Sequence, residues 1–157
     1  MPFAVTYETR LTSIEQIKEQ RFPLRIYTNH GRLPGIAGRI WFPAYLTDRL
    51  FEAYGFTLQD IERWGGKNWT SENGGNEALR EHNFDAIITR AVSGYWPVAV
   101  RWYYATMENN LRFLPIASKV LDELCKKYHC RRGFFPKYFY RGVEENVPTF
   151  YFPYMTI

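Results

Sequence analysis

The sequence predicts a single α+β domain in which a mostly antiparallel sheet has helices on one side. The chain has 157 residues, about the size of one ordinary domain. It is 46% hydrophobic and 23% charged, a balance typical of a protein with a buried core. Segments with strand alternation and segments with helical spacing follow one another without a linker or repeat. We therefore treat residues 1–157 as one domain.

The first half, residues 1–63, is predicted to run β-α-β-α-α. Alternation of apolar and polar residues indicates strands over residues 3–9 and 24–28. A capping-box pattern at residues 12–16 predicts a short helix between them, ending at Arg21. The loop that follows the second strand leads into two further helices.

The first of these helices has apolar side chains at helical spacing from Phe42 to Tyr54, and Gly55 ends it. Thr57 with Asp60 caps the next, which runs through Trp64. Residues 64–75 hold four glycines and two tryptophans, and we interpret them as a long ordered loop anchored by those rings.

The second half, residues 76–157, is predicted to run α-β-β-α-β-β. After a short helix over residues 76–82, the β-rich segments 84–92 and 98–107 are expected to form a hairpin. An apolar stripe at spacings of three and four predicts a helix over residues 113–128, with Pro115 in its first turn.

The chain is predicted to end in a second strand pair. Its strands span residues 134–141 and 147–154, around a turn at residues 142–146. Aromatic residues dominate both strands, which favours a half-buried pleated surface.

Two segments of the sequence carry a family resemblance. Trp64-Gly65-Gly66-Lys67-Asn68-Trp69 is followed by the two predicted strands, then by Tyr104-Ala105-Thr106 and a helix. This order resembles the Api92-like ferredoxin-fold proteins of phages and plasmids, whose pattern has a Trp-Gly-Thr-Lys-Trp-like segment. The resemblance covers roughly the second half and departs from the pattern at Asn68 and at residues 107–110. It implies a ferredoxin-like second half and a mobile-element origin, and it supplies no established activity.

The net charge of +4 is concentrated in one segment. Residues 1–110 hold 12 basic and 12 acidic side chains, whereas residues 111–141 hold eight basic and two acidic ones. Residues 142–157 add two glutamates, so the whole basic excess lies in the predicted long helix, the turn after it and the strand that follows.

Aromatic side chains are concentrated in the last part of this basic segment and in the strand after it. Binding of single-stranded nucleic acid requires cations that neutralise phosphates, interleaved with rings that stack on bases. The sequence therefore predicts a non-enzymatic binding protein whose basic aromatic face contacts nucleic acid or a nucleic-acid-handling complex. The candidate residues are Arg112, Lys119, Lys126, Lys127, Arg131, Arg132, Lys137, Tyr138, Tyr140 and Arg141.

Other interpretations of this face stay open. Aromatic residues suit any pleated surface, and basic residues at a helix end suit the helix dipole. The face could equally bind an acidic protein, so that the chain would inhibit a host defence protein, as anti-CRISPR or anti-restriction factors do. In residues 64–75, Trp64, Lys67, Asn68 and Trp69 form a second candidate partner-binding segment, unless the two rings simply close the core.

No catalytic, metal or cofactor motif is recognised. Cys125 and Cys130 are too few for a disulfide framework or a four-ligand zinc site. One enzymatic alternative is a metal-independent ribonuclease-like phosphoryl transfer by His30 with Arg32 and Arg39. We expect no catalytic residues, no metal and no cofactor.

The remaining expectations concern location and assembly. No apolar stretch is long enough to span a membrane, and no secretory signal opens the chain. We therefore predict a cytoplasmic protein with no membrane partner. The last predicted strand could pair across an edge to form a homodimer.

Overall fold

A five-stranded mixed sheet is the central element of the computed structural model, which describes residues 1–28, 42–89 and 96–151. β1 runs antiparallel to β4 and β5, whereas β2 runs parallel to β3 and β4. The order across the sheet is β3-β2-β4-β1-β5. The five strands are β1 (Phe3–Thr6), β2 (Arg25–Tyr27), β3 (Lys67–Trp69), β4 (Ala86–Ile88) and β5 (Leu111–Leu114).

Besides the central sheet, the described residues form helices and a separate two-stranded ribbon. The ribbon pairs β6 (Arg131–Phe135) with β7 (Val147–Tyr151) in antiparallel register. The predicted α+β class is confirmed, and no described helix is long and apolar enough to cross a membrane. The helices are α1 (Glu15–Glu19), α2 (Phe42–Ala53), α3 (Leu58–Arg63), α4 (Gly75–Arg80), α5 (Trp96–Glu108) and α6 (Ser118–Tyr128).

Both faces of the central sheet are buried, so helices cover it on two sides rather than on the one side expected. Phe3 and Val5 of β1 lie in a buried apolar cluster with residues of α1, α2, α3 and α6. Ala4 lies in a second cluster with residues of α4 and α5. Successive side chains of a strand point to opposite faces, so three consecutive apolar residues require cover on both.

The predicted hairpin of residues 84–92 and 98–107 is wrong, because residues 96–108 form helix α5. Trp102, Ala105 and Thr106 are buried, at the spacings of three and four that place side chains on one helix face. β4 and β5 are both antiparallel to β1 and lie on either side of it, so they run in the same direction. Two consecutive strands that are parallel need a crossover connection, and α5 provides it. The turn expected at residues 93–97 lies largely outside the described residues.

The helix predicted over residues 113–128 begins later than expected. Phe113 and Leu114 belong to β5, and α6 starts at Ser118. Pro115 disfavours helical geometry in the residue before it, which explains the boundary. From Ser118 onward the prediction is confirmed, and the buried face is formed by Val120, Leu121 and Leu124.

The last strand pair exists, but its first strand lies earlier than predicted. β6 spans residues 131–135 instead of 134–141. Pro136 follows it and removes a donor that a longer ladder would need. The chain then turns, with the Tyr138 N–H donating to the Val143 carbonyl at 2.8 Å.

Of the two capping boxes predicted, the one at α3 is confirmed, whereas α1 has Ile14 at its N-cap and no side-chain cap. At α3 the Thr57 N–H donates to Asp60 Oδ2 at 2.8 Å, and the Asp60 N–H donates to Thr57 Oγ1 at 3.2 Å. This is the predicted capping box. The Thr57 side-chain hydrogen bond is the main reason that the pKa of Asp60 lies below its ordinary value.

Replacing Thr57 with alanine should lower the free energy of unfolding by about 1 kcal/mol and raise the pKa of Asp60. Because the folded pKa of Asp60 is depressed, its stabilising effect is present above the unfolded pKa of about 3.9 and is lost as pH falls through the folded pKa. Urea unfolding and carboxylate NMR titration measure the two effects. The exposed Ser71→Ala variant is the control, and an unchanged Asp60 pKa in Thr57→Ala would contradict the assignment.

Replacing Trp102 with alanine should lower the free energy of unfolding by about 3–5 kcal/mol. Trp102 is fully buried and stacks on Phe113 and Tyr140, with ring centroids 5.5 and 5.7 Å away. The neighbouring Tyr103 is 56% exposed, so Tyr103→Ala should change stability by less than about 1 kcal/mol. Thermal or urea unfolding compares the two variants, and equal losses would contradict the helical placement of this segment.

Candidate functional site

Helix α6 and the β6–β7 ribbon form one continuous unit that carries most of the candidate residues. Arg132 of β6 donates to Asp122 Oδ1 at 2.8 Å and to Ser118 Oγ at 3.1 Å, both on α6. Phe150 lies opposite Arg132 in the ribbon and is buried in the cluster to which α6 contributes. We call residues 118–151 the ribbon–α6 unit.

Three cations meet where α6 ends and β6 begins. Lys126, Lys127 and Arg131 are exposed, and His129 turns the chain between them with a left-handed φ of 53°. Within the described residues none of the three cations forms a salt bridge. These residues, which we call the junction cations, leave positive charge open to solvent.

Lys119 lies on α6, and Arg132 contacts the same helix from β6. Lys119, Asp122 and Lys126 are spaced by three and four residues, so they share one exposed face of the helix. Arg132 reaches that face through its ion pair with Asp122. The pairing offsets the charge of Arg132, whereas Lys119 has no salt bridge among the described residues.

The turn after β6 carries Lys137, Tyr138 and Arg141. Tyr138 is 76% exposed, and its backbone has a positive φ of 63°. The Lys137 ammonium lies 4.5 Å from the centroid of the Tyr138 ring, a cation–π contact. Arg141 donates to the Met107 carbonyl at the end of α5, at 3.0 Å, which ties this turn to the central sheet's helix layer.

The ribbon has an exposed ring on each face, and an arginine accompanies each. Residues paired directly across an antiparallel ribbon share a face. Tyr151 is paired with Arg131, and its ring lies over Gly133, where an added Cβ would meet the ring at 2.9 Å. Phe134 lies two residues from Arg132 and therefore on its face. Tyr151 is 50% and Phe134 60% exposed.

Arg112 and Tyr140, like Arg132 and Arg141 described above, have structural partners. Arg112 donates to the Leu11 carbonyl at 2.8 Å and lies 4.6 Å from the Tyr7 ring centroid. Tyr140 is half-buried and stacks on Trp102, and burial raises its pKa. We leave both residues out of the candidate interface.

The segment predicted as a loop at residues 64–75 contains the edge strand β3, which corrects that prediction. Lys67 donates from its N–H to the Leu24 carbonyl, and Thr28 donates to the Trp69 carbonyl, both at 2.9 Å. Backbone pairing with β2 thus outweighs the turn preference of the flanking glycines. Asn68 is engaged as well, because its Oδ1 accepts from the Thr28 hydroxyl at 2.7 Å.

The two tryptophans of this segment pack on opposite faces of the sheet. Trp64 is half-buried against the first cluster, 6.1 Å from Phe56, and Trp69 against the second. The Lys67 ammonium covers the Trp69 ring at 3.6 Å. Neither indole is fully exposed, and both contribute to the core.

The described residues contain no group of three or more His, Cys, Asp or Glu side chains that could hold a metal ion. His82 contacts Asn109 Oδ1 at 2.8 Å and Glu108 at 3.5 Å on the surface, while His30, Arg32 and Arg39 lie outside the described residues. A cleft of about 400 Å³ opens beside α2 and α3. It is lined by Asp48, Arg49, Glu52, Thr57, Leu58, Gln59, Glu62 and Asn68.

Three exposed rings of the ribbon–α6 unit were not among the candidate residues, namely Phe134, Phe139 and Tyr151. Strand alternation over residues 134–141 did not show which alternate set of rings faces solvent. Pro136 was the signal in the sequence that the strand, and with it the alternation, ends there.

Comparison with known proteins does not place the chain in a family. No protein-family model matches the sequence, and no curated protein is similar to it. Tyr104-Ala105-Thr106, one of the segments behind the resemblance to Api92-like proteins, lies in helix α5 rather than at the end of a strand.

Proposed function

We propose that this protein is a non-enzymatic binder of single-stranded nucleic acid and that it binds through the ribbon–α6 unit. One observation carries the proposal: two exposed rings in this unit each have beside them a cation that forms no salt bridge among the described residues. Tyr151 is paired with Arg131, and Tyr138 lies under Lys137. Phe134 is a third exposed ring, on the face of Arg132, whose charge Asp122 offsets. A ring next to a cation can stack on a base while the charge binds the adjoining phosphate.

The junction cations would supply the electrostatic part of this binding. Lys126, Lys127 and Arg131 have no salt bridge among the described residues, so binding phosphate would not require breaking an internal ion pair. Arginine can contact a phosphate through two parallel hydrogen bonds, whereas lysine acts as a point charge. Together with Lys137 they give about four phosphate contacts to one bound strand.

Binding to a fluorescent single-stranded oligonucleotide should therefore weaken steeply with salt. For about four phosphate contacts on a single strand, log affinity should fall against log salt with a slope of about −3. Fluorescence anisotropy between low and physiological salt measures the slope. Absence of binding to both DNA and RNA strands at low salt would refute the proposed function.

Replacing Lys126, Lys127 and Arg131 together with glutamine should reduce affinity at low salt by tenfold or more and bring the slope close to −1. The matched control replaces Arg10, Lys18 and Arg21, three exposed cations near α1, with glutamine. It makes the same change in net charge. An equal loss in both variants would mean that overall charge, rather than this site, governs binding.

Replacing Tyr138 or Phe134 with alanine should weaken binding by about 1–3 kcal/mol for each stacked base, without changing the salt slope. Tyr103→Ala removes an exposed ring from α5 and is the matched control. The same anisotropy titration measures all three variants. If the two ribbon variants bind like the Tyr103 control, the rings do not stack on bases.

A protein partner is the second candidate, and the exposed rings Phe134, Tyr138, Phe139 and Tyr151 favour it. Aromatic and arginine side chains dominate the energetic centres of protein interfaces. The affinity for a protein partner should change little with salt, because charges at the rim of an interface mainly change association rates. The same affinity should fall when the exposed rings are removed. The two kinds of variant therefore separate the two candidates.

A further inference from the structure

The structure brings two thiols together at the junction between α6 and β6. Cys125 lies in the last turn of α6, and Cys130 directly precedes β6. His129 takes a left-handed backbone conformation between them and turns the chain back. As a result the two sulfurs are in direct contact, with Cys125 Sγ 2.7 Å from Cys130 Sγ.

The two thiols differ in their access to solvent. Cys125 is half-buried, whereas Cys130 is 8% exposed and packs in the first core cluster. A dissolved reagent therefore meets Cys125 first. Burial, followed by the hydrogen bond with Cys125, raises the pKa of Cys130 to about 12, so Cys130 is a thiol rather than a thiolate near neutral pH.

We propose that Cys125 and Cys130 form a reversible intramolecular disulfide in exchange with a small disulfide such as oxidised glutathione. The Cys125 thiolate attacks one sulfur of the small disulfide, a protein–glutathione bond forms, and one glutathione thiolate leaves. The Cys130 thiolate then attacks Cys125 Sγ, the Cys125–Cys130 bond forms, and the second glutathione thiolate leaves. The two protein thiols together lose two electrons and two protons; the electrons reduce one oxidised glutathione, and its two released thiolates take up the protons to give two reduced glutathione molecules.

The geometry assigns each cysteine its part in this exchange. Cys125 is the entry thiol because it is accessible, and Cys130 is the resolving thiol because it already touches Cys125. A close pair of this kind in a reducing compartment is typically transient and redox-responsive rather than structural. The inference does not depend on what the ribbon–α6 unit binds.

Equilibration of the full chain in glutathione buffers of graded redox ratio tests the proposal. Free thiols are alkylated after acid quenching, and mass spectrometry reads the product. The wild-type chain should lose two hydrogen atoms, gain no glutathione and form no disulfide with a second chain. A stable glutathione adduct, an intermolecular disulfide or two thiols that stay reduced under oxidising ratios would each overturn it.

Two single variants test the order of the steps. Cys130→Ser should accumulate the mixed disulfide on Cys125, whereas Cys125→Ser should react much more slowly, because only the buried thiol remains. Circular dichroism confirms that both variants are folded. Equal rates of glutathione addition in the two variants would contradict Cys125 as the entry thiol.

Comparing the folded chain with the urea-unfolded chain shows whether the fold, rather than the short spacing of the two cysteines in the sequence, favours the disulfide. The folded chain should become half-oxidised at a redox ratio at least about tenfold more reducing than the unfolded chain requires, since the fold holds the sulfurs in contact. Equal midpoints would mean that the fold contributes nothing, and would overturn the proposal.

Discussion

The burial of β1 on both faces is the constraint on which the rest of this structure depends. Phe3 and Val5 are at most 1% exposed on one face and Ala4 is fully buried on the other, so each face needs its own layer. β1 also separates β4 from β5, which forces α5 to cross over the sheet. Burial of β1 on its second face therefore requires the second layer of helices. The ribbon packs in the same cluster through Phe135 and Val147.

Sequence patterns predicted the local structure better than the arrangement of layers. The α3 capping box and the apolar face of α6 depend on residues within one or two turns, and these were predicted well. Residues 98–107 have the β-branched and aromatic composition of a strand, yet burial of Trp102 between Phe113 and Tyr140 favours a helix. Those partners are distant in sequence, so intrinsic preference could not reveal them.

For the candidate site as well, the sequence predicted local features better than tertiary contacts. Charge counting located the basic segment at residues 111–141 without knowledge of the fold, and five of its eight cations lie on α6 and β6. Which of these cations stay open to solvent depends on tertiary contacts, such as that of Arg132 with Asp122 or Arg112 with Leu11. The contact between Cys125 and Cys130 depends on the left-handed turn at His129, which spacing alone does not predict.

The backbone of Tyr138 has a consequence for how this protein could change. A left-handed conformation costs an ordinary residue about 1 kcal/mol, and glycine adopts it freely. At φ 63° the chain therefore gives up stability in order to display an aromatic ring to solvent. Backbone stability and the display of this ring oppose each other at this position, so selection for thermal resistance alone would favour glycine or asparagine there, and only a use for the exposed ring would favour tyrosine.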